Sequence, residues 1–188
     1  RLGAPPGRHL LLVCRSENRI LGQRNGMSDS GESSRIFPPG KLPLDLLSHL
    51  LGSYTGRDER VLVGPRVGED ATVIEFGETC LVVKTDPITF ATDEIGHYAV
   101  HVNANDIATM GAVPRWFLAT LLLPEGRTSA ALVEEIFASI HKAAQQIDVT
   151  PCGGHTEITV GLDRPVVVGQ MLGEVPRGDL VQSTDLQV

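Results

Sequence analysis

The chain has no C-x-x-C pair, and its three cysteines, Cys14, Cys80 and Cys152, stand far apart. That spacing argues against a zinc ribbon or a disulfide framework and favours a reducing, cytoplasmic setting. No run of about 18 apolar residues occurs. The longest apolar stretches, residues 10–13 and 121–123, are too short to span a bilayer, so no membrane partner is expected. Basic residues are not in excess either. A net charge of -7 disfavours nucleic acid as the main partner, because phosphate neutralisation needs a basic surface. The common nucleotide and nucleophile motifs are missing too: neither G-x-G-x-x-G nor G-x-S-x-G is present. Gly40-Lys41 is no P-loop, since Arg35 stands where the first glycine should be and Leu42 replaces Ser/Thr. If such a chain binds a nucleotide, the acidic balance points to a metal bridge.

What is present fits one domain with a proper core: 188 residues, 41% hydrophobic and 21% charged. The first 26 residues differ from the rest, with five arginines and a single acid, Glu17. Residues 1–36 are therefore expected to be a basic and polar extension, either a targeting leader or an unstructured segment ahead of a start at Met27. Residues 37–175 are expected to form the domain. Residues 176–188, opening on Pro176-Arg177-Gly178, are expected to begin a linker to a second, C-terminal domain absent from this chain.

Leucines 42, 46, 47, 50 and 51 recur at helical spacing, with Pro43 near the first turn and Gly52 as a stop. Residues 60–63, 71–76 and 81–85 read as strands, 94–110 as a helix and 116–123 as a buried strand. Thr128 is placed to cap a helix running to about Ile147. A short strand at 149–152, a Gly-Gly turn and a last strand at 165–172 follow. Without strict βαβ alternation the fold class is α+β, a mixed sheet with flanking helices.

Four segments combine glycine and acids at strand ends or on a helix. Gly68-Glu69-Asp70 offers close backbone approach and carboxylate oxygen for a hard cation, although it is also an ordinary turn. Asp86, before Pro87, ends an apolar strand. On the helix, Ile95, Ala99, Val102, Asp106 and Thr109 share one face, which puts Asp106 in the stripe expected to be buried. A buried carboxylate needs a partner: an arginine, a backbone cap or a metal. Asn105 adds a second oxygen donor beside it. In Gly153-Gly154-His155-Thr156-Glu157 the glycine turn can form an anion-binding nest flanked by polar side chains. His97 and His101 stand at i, i+4, but Tyr98 occupies the acid position of H-E-x-x-H, so they read as exposed histidines. Cys152 reads as a small buried cysteine.

Taken in order, these segments resemble the AIR synthase (PurM)-like superfamily, in its HypE-like branch. Gly68-Glu69-Asp70-Ala71 is similar to the family's G-D/E-D-A segment, and Thr85-Asp86 to its T-D strand end. Residues 102–112, Val-Asn-Ala-Asn-Asp-Ile-Ala-Thr-Met-Gly-Ala, are close to its V-N-x-x-D-I/L-A-x-M-G-A helix, and Gly153-Gly154-His155-Thr156 resembles G-G-D/H/E-T. The order holds over residues 41–175. The resemblance implies a domain whose strands close a barrel across a homodimer. It implies ATP and Mg²⁺ as cofactors, with Asp70, Asp86, Asp106 and Glu157 as metal ligands. Gly68, Asp70, Gly153, Gly154, His155 and Thr156 would contact the nucleotide. The implied enzyme activates a small-molecule or protein substrate by phosphoryl or adenylyl-type transfer, and this half alone is expected to be inactive. A thiamine-monophosphate kinase-like enzyme and a non-catalytic nucleotide-binding dimerisation module remain open as alternatives.

Overall fold

The computed structural model describes residues 36–182. The expectations for residues 1–35 and 183–188, Cys14 among them, lie outside the described residues. From Lys41 onward the chain forms a unit of its own.

Helix α1 spans Leu44–Tyr54, preceded by Pro43 and running through Gly52 rather than stopping there. Strands β1 (Val61–Val63), β2 (Thr72–Phe76) and β3 (Thr79–Ile88) follow. Helix α2 (Ile95–Thr109) leads into β4 (Val113–Pro124), and helix α3 (Ala130–Gln146) into β5 (Thr150–Thr159). Strand β6 (Val166–Pro176) comes last, then a single 3₁₀ turn at Arg177–Asp179. The α+β reading holds: the strands form one six-stranded sheet in the order β1-β2-β3-β6-β4-β5. Every neighbouring pair is antiparallel except β4–β5, which α3 connects as a parallel crossover.

Strand β6 is central, with long ladders to both β3 and β4. Its alternate residues Val167, Gly169, Met171, Gly173 and Val175 are buried beneath the helices. Residues Cys80, Val82 and Ile88 of β3 and Phe117, Leu121 and Leu123 of β4 complete that core with Ile95, Ala99, Ile107, Ile136 and Ile140. Period-two burial is what one covered sheet face produces. The other face carries the partly exposed Leu118, Leu122, Val168 and Leu172, with Trp116 and Phe76 more exposed still. Among the described residues no helix covers it over β4 and β6.

Two local readings need correction. Helix α3 is capped by Ser129, whose Oγ accepts the Leu132 N–H, while the Thr128 hydroxyl donates to Pro124 O. Gly153-Gly154 is not a turn but lies inside β5, hydrogen-bonded along β4. Gly154 is required there: its φ is +142°, and a Cβ would lie 1.9 Å from Ala119 O.

Candidate functional site

Strand alternation decides which side chains of β3 meet the helices. Lys84 and Asp86 share the side of Cys80, Val82 and Ile88, under α2. Helix α2 is pressed close to the sheet because β6 supplies glycine at the contact. A Cβ on Gly169 would lie 2.3 Å from Asn103 Nδ2, and one on Gly173 would lie 2.4 Å from Ile107 Cγ2. Asn103 is fully buried. Its Nδ2 donates to Ala99 O at 2.8 Å and to Asp86 O at 3.3 Å, tying α2 to the end of β3. Its Oδ1 is buried without a partner.

This packing brings Asp106, in the last turn of α2, against β3. The Lys84 ammonium lies 2.8 Å from Asp106 Oδ2 and 3.7 Å from Asp86 Oδ2. The Lys84 side chain is 17% exposed, Asp106 22% and Asp86 41%. Asp70, from the loop before β2, is exposed, and its charge acts on the same ammonium. Burial works to lower the Lys84 pKa. The hydrogen bond to Asp106 and the charges of Asp106, Asp86 and Asp70 outweigh that and hold it above the usual lysine value. A carboxylate at a helix C-terminus faces the negative end of the dipole, which adds to the need for a cation beside Asp106.

Two of the expected ligands, Asp86 and Asp106, thus flank the Lys84 ammonium, and the charge of the third, Asp70, acts on it from the loop before β2. Their donors are carboxylate oxygens only, a set that suits a hard divalent cation such as Mg²⁺. Among the described residues no three His, Cys, Asp or Glu side chains are gathered at metal-binding distance; the ammonium of Lys84 stands between Asp86 and Asp106. Gly68 lies in the same loop as Asp70 with φ +94°, a conformation that favours glycine. Its neighbour Glu69 turns inward, nearly buried, and pairs with Arg66 at 2.8 Å. Arg66, Glu69, Asp70, Lys84 and Thr85 line an open cleft of about 410 Å³.

The remaining expected residues sit elsewhere. Rows of paired residues run across the sheet from Asp86 through Gly169 and Ala119 to Gly154. Strand β5 is therefore level with the carboxylates but three strand spacings away, roughly 14 Å. Gly153, Gly154, His155 and Thr156 line a separate, mainly apolar cleft of about 330 Å³ against Phe137 and Ile140 of α3. Glu157 stands apart from the Lys84 centre, engaged by Thr159 and by His155 Nε2 at 3.1 Å. Those hydrogen bonds, Thr159 first, hold its carboxyl below the ordinary value.

Three sequence readings change. Asn105, the oxygen donor expected beside Asp106, is exposed, and the buried asparagine of α2 that the sequence did not single out is Asn103. His97 and His101 are half-buried with ring centroids 4.2 Å apart, not solvent-exposed side chains. Cys152 is exposed, whereas Cys80 is buried, which pushes its thiol pKa up. Lys84 was missed altogether; the signal was a lysine two residues before Asp86 on the same strand face.

Residues 68–175 match the family described as AIR synthase related protein, N-terminal domain. The chain is 31% identical over 124 residues to a putative hydrogenase expression/formation protein of Methanocaldococcus jannaschii, covering 63% of this chain and 37% of that one. It is 30% identical over 142 residues to thiamine-monophosphate kinase of Bacillus subtilis, covering 70% and 42%. The solved structure of AaThiL complexed with AMPPCP and TMP shares the fold, with a TM-score of 0.56 at 22% identity over 73% of this chain and 41% of that one. The chain spans about two fifths of the length of the curated relatives it matches. With more than half of its residues matched, the chain belongs to the AIR synthase related, PurM-like family and carries that family's N-terminal domain.

Proposed function

We propose that this chain is the Mg-ATP-binding half of an ATP-dependent enzyme of the HypE-like branch, which activates an oxygen of its substrate by phosphoryl or adenylyl-type transfer. The observation that carries the reading is the pairing of Asp86 and Asp106, from a strand and a helix, with one cationic centre on which the charge of Asp70 also acts. The relationship to a hydrogenase expression/formation protein supports the branch, and the nucleotide analogue held by a protein of the same fold supports ATP.

In this reading Asp70, Asp86 and Asp106 would hold Mg²⁺, which would supply neutralisation of phosphate charge. Gly68 allows the phosphates to approach the backbone. Asn103 keeps β3 and α2 in register, so that Asp86 and Asp106 face the same point. Gly153, Gly154, His155 and Thr156 contact a part of the nucleotide remote from these three carboxylates, and Glu157 is a further metal ligand on that side. Phosphoryl transfer asks the protein mainly for positioning and charge neutralisation, which suits a site without a nucleophile. The acceptor is a small molecule or a protein, and the site is completed by a second domain. The reaction belongs in the cytoplasm, where ATP is available.

The assembly is a homodimer in which the apolar sheet face of each copy closes against the other. Partly exposed Leu118, Leu122, Val168 and Leu172 support this, because soluble proteins rarely leave such a face uncovered. A thiamine-monophosphate kinase-like activity is the second reading, favoured by the Bacillus subtilis relative.

Calorimetric titration of ATP into the chain, with Mg²⁺ and then with excess EDTA, tests the proposal. Saturable binding that disappears with EDTA is expected. Binding of equal strength without divalent cation would contradict a metal-bridged site.

A further inference from the structure

We propose that Lys84 is a built-in counter-cation of this site, and that a divalent cation binds the carboxylates only by displacing its ammonium. The inference rests on the reading of Asp70, Asp86 and Asp106 as metal-binding carboxylates and adds how that binding is controlled.

The ammonium lies within hydrogen-bonding distance of Asp106 Oδ2 and within ion-pair distance of Asp86 Oδ2. These oxygens are the ones a metal would need. A lysine ammonium and a hydrated divalent cation cannot share that point, since like charges this close repel by several kcal/mol even at an effective dielectric of about 20. Without a cation, two half-buried carboxylates beside the negative end of α2 would repel one another. Lys84 removes that repulsion and keeps the acids in place before any ligand arrives. The flexible stem of lysine lets the ammonium move off when something else satisfies the acids.

A metal ion alone must displace Lys84 from Asp106 and Asp86 without bringing a new anion for its ammonium. A metal ion arriving with a polyphosphate brings an anion with which the released ammonium can pair. Metal and nucleotide should therefore bind together, and metal alone weakly.

Direct titration of the full chain with Mn²⁺ alone, followed by electron paramagnetic resonance of the free ion, tests this. Lys84→Met removes the charge and keeps the length; Lys84→Gln is the second neutral variant should the first fail to fold, as judged by circular dichroism. Neutral variants are expected to bind Mn²⁺ at least about tenfold more tightly than the natural chain, and Lys84→Arg to behave like it. Neutral variants that fold and bind Mn²⁺ no better than the natural chain, while Asp106→Asn still abolishes binding, would overturn the counter-cation role and leave the metal site standing. If no form of the chain binds Mn²⁺, neutral Lys84 variants included, the metal-site reading falls and the inference with it.

Discussion

The amide of Asn103 lies so close over Gly169 that a single methyl group on that glycine would sit 2.3 Å from Nδ2 and 2.9 Å from Ala99 O. Helix α2, which carries Asp106, can seat on the sheet only because β6 is bare at that point. Gly169→Ala is expected to destabilise the fold by about 1–3 kcal/mol through overpacking. Chemical denaturation measures it, and a variant as stable as the natural chain would mean that α2 does not press on β6 as described.

Asn103 is the buried link between α2 and the end of β3. Asn103→Leu keeps roughly the volume but removes the side-chain hydrogen bonds to the carbonyls of Ala99 and Asp86. The expected cost is about 1–3 kcal/mol of stability. Looser placement of Asp86 should weaken Mg-ATP binding as well. Unchanged melting and unchanged binding together would remove Asn103 from the account.

Much of this arrangement was legible in the sequence. The strands of the sheet and the helix carrying Asp106 follow from β-branched runs and apolar spacing, and the acids of Gly68-Glu69-Asp70, Thr85-Asp86 and residues 102–112 stand out by position. The phase of α2 was misread. Of the expected stripe Ile95, Ala99, Val102, Asp106 and Thr109, the first two are buried, but farther along the helix the buried residues are Val100, Asn103, Ala104 and Ile107 instead. The helix is covered by both the sheet and α3, so its buried arc is wide, and a hydrophobic count cannot see an asparagine at its centre. Gly153-Gly154 signals a turn in any sequence reading; only the approach of β4 shows that Gly154 serves a strand instead. The pairing of Lys84 with Asp86, two residues on along one strand face, had a local signal, whereas its closer partner Asp106 is 22 positions away and comes from tertiary packing.

Strand β5 depends on Gly154. Its positive φ and the 1.9 Å approach a Cβ would make to Ala119 O leave no room for a side chain. Gly154→Ala should break the β4–β5 ladder locally, at a cost of about 1–3 kcal/mol. Hydrogen exchange reports it as faster exchange of the β5 amides paired to β4, with β3–β6 protected as before. Unaltered β5 protection would contradict the pairing.

The sheet face that no helix covers among the described residues predicts association. Light scattering at micromolar concentration should give twice the chain mass, with an interface of about 2,000 Å² or more in total. Leu172→Lys, which puts a charge on that face, is expected to shift the chain toward monomer. A stable, non-aggregating monomer of the natural chain would rule out closure of the sheet across two copies.

The central claim is that Asp106 belongs to a carboxylate centre binding Mg-ATP, and calorimetric titration of Asp106→Asn tests it most directly. At least a tenfold loss of affinity, about 1.4 kcal/mol, is expected in a variant that melts as one folded species. Affinity equal to that of the natural chain, in a variant shown to be folded, would contradict it.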